Sequence, residues 1–99
     1  VNTKEVFITK RPQGWSVKEI FQWEGFPENE GYRNDISLAW AVFNAADSAA
    51  RHGMIITDVW FGAEKATRDQ LVKLIKKVTR KSLKYAQAPA IASLGRRIV

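Results

Sequence analysis

The chain contains no cysteine. Disulfide staples and thiolate metal sites are therefore excluded, and a reducing, cytoplasmic setting is favoured because small secreted domains are usually cross-linked. A single histidine, His52, leaves few arrangements for nucleophilic or acid–base chemistry. It falls at the end of a helical pattern beside Arg51, where a capping role fits better than a general base. Neither G-x-x-x-x-G-K nor G-x-G-x-x-G occurs, so no phosphate-cradling loop is present. The acids Glu24, Glu28, Glu30 and Asp35 cluster but lack calcium-loop spacing, and they read as a solvated loop. No apolar run approaches the ~20 residues that cross a bilayer as a helix. No basic segment followed by an apolar one opens the chain in the manner of a secretion signal. Together these absences predict a protein that is not an enzyme and uses no metal and no cofactor.

Acidic residues are scarce in one place in particular. Residues 65–99 hold ten lysines and arginines against a single acid, Asp69, whereas residues 1–64 hold six basic residues against nine acids. The net charge of +6 therefore joins a mildly acidic body to a strongly basic end. Like charge at this density costs self-repulsion, and it is retained where it meets an anion or stands free in water.

With 99 residues, 45% of them hydrophobic and 26% charged, the chain suits one globular domain. Residues 1–88 are expected as its folded core and residues 89–99 as a tail without regular structure. Four tryptophans are many for this length, and three of them are expected in the core.

Lys4 to Lys10 is rich in β-branched and aromatic residues and predicts a strand. Arg11-Pro12-Gln13-Gly14 then predicts a three-residue hairpin loop closed by a glycine bulge. The return strand would run from Trp15 to about Trp23, with Trp15, Val17, Phe21 and Trp23 on one face. A rival exists for this stretch: Ser16 and Glu19 form a capping-box pattern, and Val17, Ile20 and Phe21 have helical spacing. The turn chemistry favours the hairpin. Residues 25–35 read as a polar loop whose Asn34 or Asp35 caps a helix from Ile36 to His52. Leu38, Ala39, Val42, Ala46, Ala49 and Ala50 share one face of that helix, and Gly53 stops it.

Met54 to Phe61 is apolar at nearly every position and predicts a strand covered on both faces, or by core on one and a partner on the other. Thr67, with Gln70 three residues on, opens a second helix that runs to Pro89. Its apolar stripe is Leu71, Leu74, Ile75, Val78 and Tyr85. Lys73, Lys76, Lys77, Arg80, Lys81 and Lys84 form the opposite arc. The order β-β-α-β-α predicts an α+β two-layer domain, a three-stranded sheet of order 2-1-3 with two helices on one face. The expected core is Phe7, Val17, Phe21, Leu38, Val42, Ile55, Val59, Leu71, Ile75 and Val78.

Over residues 6–62, the run from Thr9 to Lys18, the alanine-rich helix ending Ala50-Arg51-His52-Gly53 and the strand ending at Gly62 resemble a family of short uncharacterised bacterial hairpin–helix–strand domains. The resemblance implies the hairpin and no function. It stops after Gly62, where that family continues with another strand and this chain with its basic helix.

The basic arc points to phosphate-backbone contact with DNA or RNA, with Arg80 as the fork-shaped donor and Arg96 and Arg97 adding charge further on. Base readout is not expected, because the arc lacks Asn and Gln. A solubilising face is the plain alternative, but such faces normally mix signs, and no acid lies between Lys73 and Val99. The other alternative is a protein-binding or inhibitory module, such as a small accessory regulator of a larger complex. It would engage an acidic partner surface through the basic helix and Trp40, which helical spacing places on the polar side with Asn44, Asp47 and Arg51. Membrane-surface association is disfavoured, since the apolar stripe is needed for the domain's own core. The expected state is a monomer or weak dimer.

Overall fold

In the computed structural model, which describes residues 1–99, Pro12 and Gln13 form a two-residue turn between strands β1 (Thr3–Arg11) and β2 (Gly14–Gln22). The expected three-residue loop is shortened because Gly14 itself pairs with Arg11, at φ +139°. A Cβ at Gly14 would stand 2.6 Å from the Asp35 carbonyl oxygen, so glycine is required by close approach as well as by conformation. Residues 16–22 are strand and not helix.

The expected three-stranded sheet with two helices is incorrect. The domain is α+β, with a five-stranded mixed sheet of order β3-β2-β1-β4-β5 and three α-helices. The segment read as a polar loop contains β3 (Asn29–Asp35), which pairs antiparallel with β2 along its whole length. Its composition is poor in strand formers because it is an edge, where charged residues discourage further pairing. Ser37 caps α1 (Leu38–Arg51), in place of Asn34 or Asp35, and accepts a hydrogen bond from the Trp40 N–H at 3.2 Å. His52 is the C-cap, and its Nδ1 donates to the Ser48 carbonyl at 2.8 Å. Strand β4 (Ile55–Phe61) then lies parallel to β1, and β5 (Glu64–Lys65) turns back beside it.

The second helix, α2 (Arg68–Thr79), ends ten residues before Pro89. A 3-10 turn at Lys84–Ala86 leads directly into α3 (Gln87–Ala92). The segment 89–99, set apart above as a tail, supplies Ala90, Leu94 and Ile98 to the core. Leu94 also forms a bridge with Ile56 at the open side of β4.

One face of the sheet carries Val6, Ile8, Val17, Ile56 and Val59, and α1 packs on it with α2 and α3 against α1. The expected core residues Val17, Val42, Val59, Leu71 and Ile75 are buried, and Phe21, Leu38 and Val78 are half-buried against them. Phe7 and Ile55 are not core: Val6, Ile8 and Ile56 take their places. On β4 a bulge opposite Lys4 and Glu5 brings Ile56 and Val59 to one face, whereas β1 is read one residue out of phase. The cause on β1 is Lys4, which shares the core face and is fully buried. Lys4 Nζ stands 2.6 Å from Glu19 Oε2, and Glu19 is held in turn by Arg33 at 2.8 Å. Arg33 also donates to Asp35 at 3.0 Å and to the Ala41 carbonyl at 3.0 Å, while Asn44 donates to Asp35 at 2.8 Å. This charge chain ties β1, β2 and β3 to α1. Burial pushes the Lys4 ammonium below its ordinary pKa, against the raising pull of Glu19.

Candidate functional site

Helix α2 begins with a capping box, in which Gln70 N–H donates to Thr67 Oγ1 at 3.2 Å and Thr67 N–H donates to Gln70 Oε1 at 2.8 Å. Leu71, Ile75 and Thr79 recur at four-residue spacing on its buried side, leaving Lys73, Lys76 and Lys77 exposed on the other. The continuous arc expected through Lys84 does not form. Thr79 is fully buried, donates through Oγ1 to the Ile75 carbonyl at 2.7 Å, and accepts from Gln87 Nε2 at 2.9 Å. The last bond joins α2 to the chain that folds back after Arg80, its C-cap, where Ala86 and Ala90 enter the core.

The fold-back changes the site. Lys84 is brought beside Lys76, Lys77 and Arg80, and these four with Gln87 line an open concavity of about 630 Å³. No acid and no apolar residue lines it, and none of the four cations has an ion-pair partner. Four uncompensated cations from three successive segments make a region of strongly positive potential.

Other candidates lie elsewhere. Lys73 is paired with Asp69 at 3.0 Å on exposed helix surface. Lys81 is exposed in the turn and is not part of the concavity. Arg97 reaches the buried Asp58 at 3.2 Å, where Lys65 meets the other carboxylate oxygen at 3.2 Å. Arg96 is exposed without an ion-pair partner.

Trp40 is not the freely exposed anchor that helical spacing predicts. It is half-buried, packs against the core, and meets Phe43 edge-on with ring centroids 5.8 Å apart. Helix α1 is covered by the sheet and by α2 and α3, so its buried arc is wider than a one-sided stripe. Trp40 nonetheless forms, with Leu38, Leu74 and Val78, the wall of a second groove of about 580 Å³. Lys77 and Arg80 line this groove too, and so belong to both depressions.

Sequence reasoning missed the sheet face opposite the helices. There, Tyr32, Lys18, Phe7, Trp60 and Lys65 stand in direct cross-strand register over all five strands. Phe7 and Trp60 stack with centroids 6.4 Å apart and planes 6° from parallel. Lys18 lies 5.9 Å from the Phe7 ring and Lys65 5.4 Å from that of Trp60. The next row is Glu30, Ile20, Glu5 and Asp58, with Glu5 accepting from Trp60 Nε1 at 2.8 Å. Tyr32 donates to Glu30 at 2.5 Å, which holds the Glu30 carboxyl below its ordinary pKa and raises the Tyr32 phenol. Period-two alternation marks these residues as co-facial within each strand, but their register depends on the pairing.

No group of three or more His, Asp or Glu side chains is placed to hold a metal, and no helix is long and apolar enough to cross a membrane. Comparison with known protein families, with curated proteins and with solved structures finds no match to this chain.

Proposed function

We propose that this chain is a non-enzymatic, cytoplasmic nucleic-acid-binding protein that holds a phosphate backbone in the concavity of Lys76, Lys77, Arg80 and Lys84. The observation that carries this reading is the fold-back at Thr79–Gln87, which gathers four unpaired cations with no acid among them. Arg80 can meet a phosphate with two parallel N–H donors, and the lysines act as point charges around it. Gln87 is an amide at the same place, but its Nε2 is committed to Thr79, so it is a poor reader of bases. Binding should therefore be strong in charge and weak in sequence preference.

Each neutralised phosphate releases counterion, so four contacts give a slope of log K on log salt of about −3 for a single strand and about −4 for duplex DNA. Fluorescence anisotropy of labelled DNA and RNA across a salt series measures it. The variant Lys77→Glu, Arg80→Glu, Lys84→Glu should lose binding while its unfolding free energy changes by less than about 0.5 kcal/mol per substitution. A flat salt response, or no binding at low salt, rejects the reading.

A second reading is a module that engages an acidic protein surface. The specific support is the apolar groove at Trp40 beside Lys77 and Arg80, with Ile36 85% exposed just before α1. Retained binding of a purified acidic partner, with no oligonucleotide competition, is its signature.

A further inference from the structure

The two depressions share Lys77 and Arg80 and differ in the rest of their lining. One is cationic throughout, and the other is walled by Leu38, Trp40, Leu74 and Val78. A ligand that fills both must carry dense negative charge and, within one repeat of it, a flat apolar body. A nucleotide has both in a single unit. An acidic peptide places carboxylates and apolar side chains on separate residues, and a duplex keeps its bases stacked inside, where this groove cannot reach them. We infer that the ligand is a single strand, with one base seated in the groove against Trp40 and the adjoining phosphates on Lys77, Arg80 and their neighbours. The inference rests on the phosphate reading above and goes beyond it by choosing the strand form.

The chemistry suits the groove. A volume of about 580 Å³ is ample for one base and its sugar. Every base has a π-face, so an apolar wall holds any of the four and adds affinity without sequence preference. Arg80, at the boundary, can pair with a phosphate while its guanidinium plane lies against the base. The far face of the sheet also carries aromatics, but its Lys18, Lys65 and Arg97 are already paired with Glu30 and Asp58, so none of these three is free for a phosphate.

The test compares three labelled probes of roughly 12 nucleotides at equal low salt: oligothymidylate, an abasic sugar–phosphate strand, and a duplex. Oligothymidylate should bind about tenfold more tightly than the abasic strand, and the duplex no more tightly than the abasic strand. Trp40→Leu keeps an apolar side chain and removes the indole. It should shrink the tenfold preference to about twofold while leaving abasic-strand affinity in place. The probe comparison stands even if that variant folds poorly, because it uses the wild-type chain. Equal binding of the thymidylate and abasic strands, or tighter binding of the duplex, overturns the inference and leaves the phosphate reading intact. Absence of binding by all three overturns the phosphate reading itself, and this inference with it. So does binding of a glutamate-rich peptide with one leucine when no oligonucleotide binds.

Discussion

Replacing Glu19 with glutamine should be the most damaging isosteric change in the sheet. Glu19 lies between the fully buried Lys4 ammonium at 2.6 Å and Arg33 at 2.8 Å, with 9% of its own side chain exposed. Arg33 keeps Asp35 and the Ala41 carbonyl, but Lys4 has no other polar partner. Removing one partner of a buried pair leaves an uncompensated charge and costs about 3–5 kcal/mol. For a domain of this size that lowers Tm by roughly 15–30 °C. The double variant Lys4→Met, Glu19→Leu leaves no orphan and should stay within about 1 kcal/mol of wild type. The pH response has a definite sign. Burial lowers the folded-state pKa of Lys4 below its unfolded value. Between the two values the unfolded chain binds more protons, so stability rises with pH across that window. Losing the raising pull of Glu19 widens the window downward, and the deficit of Glu19→Gln should shrink as pH climbs toward the ordinary lysine range. Urea midpoints over a pH series give the answer, with the double variant as baseline for all other titrations. A loss below about 1 kcal/mol, or a deficit that is constant or grows with pH, would refute the reasoning.

Four further outcomes are expected. Gly14→Ala should cost about 2–4 kcal/mol, since it adds positive-φ strain to a 2.6 Å clash with the Asp35 carbonyl oxygen. Gly25→Ala, also at positive φ but with open space around it, should cost only about 1 kcal/mol in the same thermal melts. Trp40→Ala should lose about 2 kcal/mol in urea unfolding, because the ring packs on Phe43 and the core; an unchanged midpoint would show that it contributes nothing there. Thr79→Val should cost about 1–2 kcal/mol and free Gln87, so oligonucleotide affinity should drop several-fold as Lys84 drifts from Arg80. Affinity equal to wild type would separate the fold-back from binding.

The hairpin and the start of α2 are legible because their signals are local, although the loop is one residue shorter than expected and α1 is capped by Ser37 in place of Asn34 or Asp35. Pro12 and Gly14 mark the hairpin, Thr67 and Gln70 the start of α2, and the apolar run before Gly62 marks β4. Strand β3 is hidden: Asn29-Glu30-Gly31-Tyr32-Arg33-Asn34-Asp35 has loop composition, and it is held extended by its ladder with β2, the Arg33–Glu19 pair and the bonds of Arg33 and Asp35 to α1. The face of β1 was misassigned because Lys4 and Glu5 put a charge on each side, and the partner that neutralises Lys4 lies on another strand. The basic residues of the site could be named from charge alone. Their convergence could not, since the basic residues keep helical spacing past Arg80, and the chain turns back there through tertiary contacts: the Gln87–Thr79 bond and the burial of Ala86 and Ala90. The groove at Trp40 was likewise out of reach, because it is formed jointly by α1 and α2.

The stacked pair on the open sheet face gives the chain an optical consequence. Phe7 and Trp60 meet across the parallel β1–β4 ladder, whose partners are about 50 residues apart in sequence, whereas Trp15 lies at the tight β1–β2 turn. Hairpins close in ~1–10 μs, while contacts this distant wait on the loop entropy of the chain between them. Trp60, bonded to Glu5 and overlain by Lys65, occupies its electrostatic surroundings only after β4 has docked and β5 has turned back. In a variant keeping Trp60 as its sole indole, stopped-flow fluorescence would time closure of the sheet's distant half, unmixed with the earlier zipping of the hairpin.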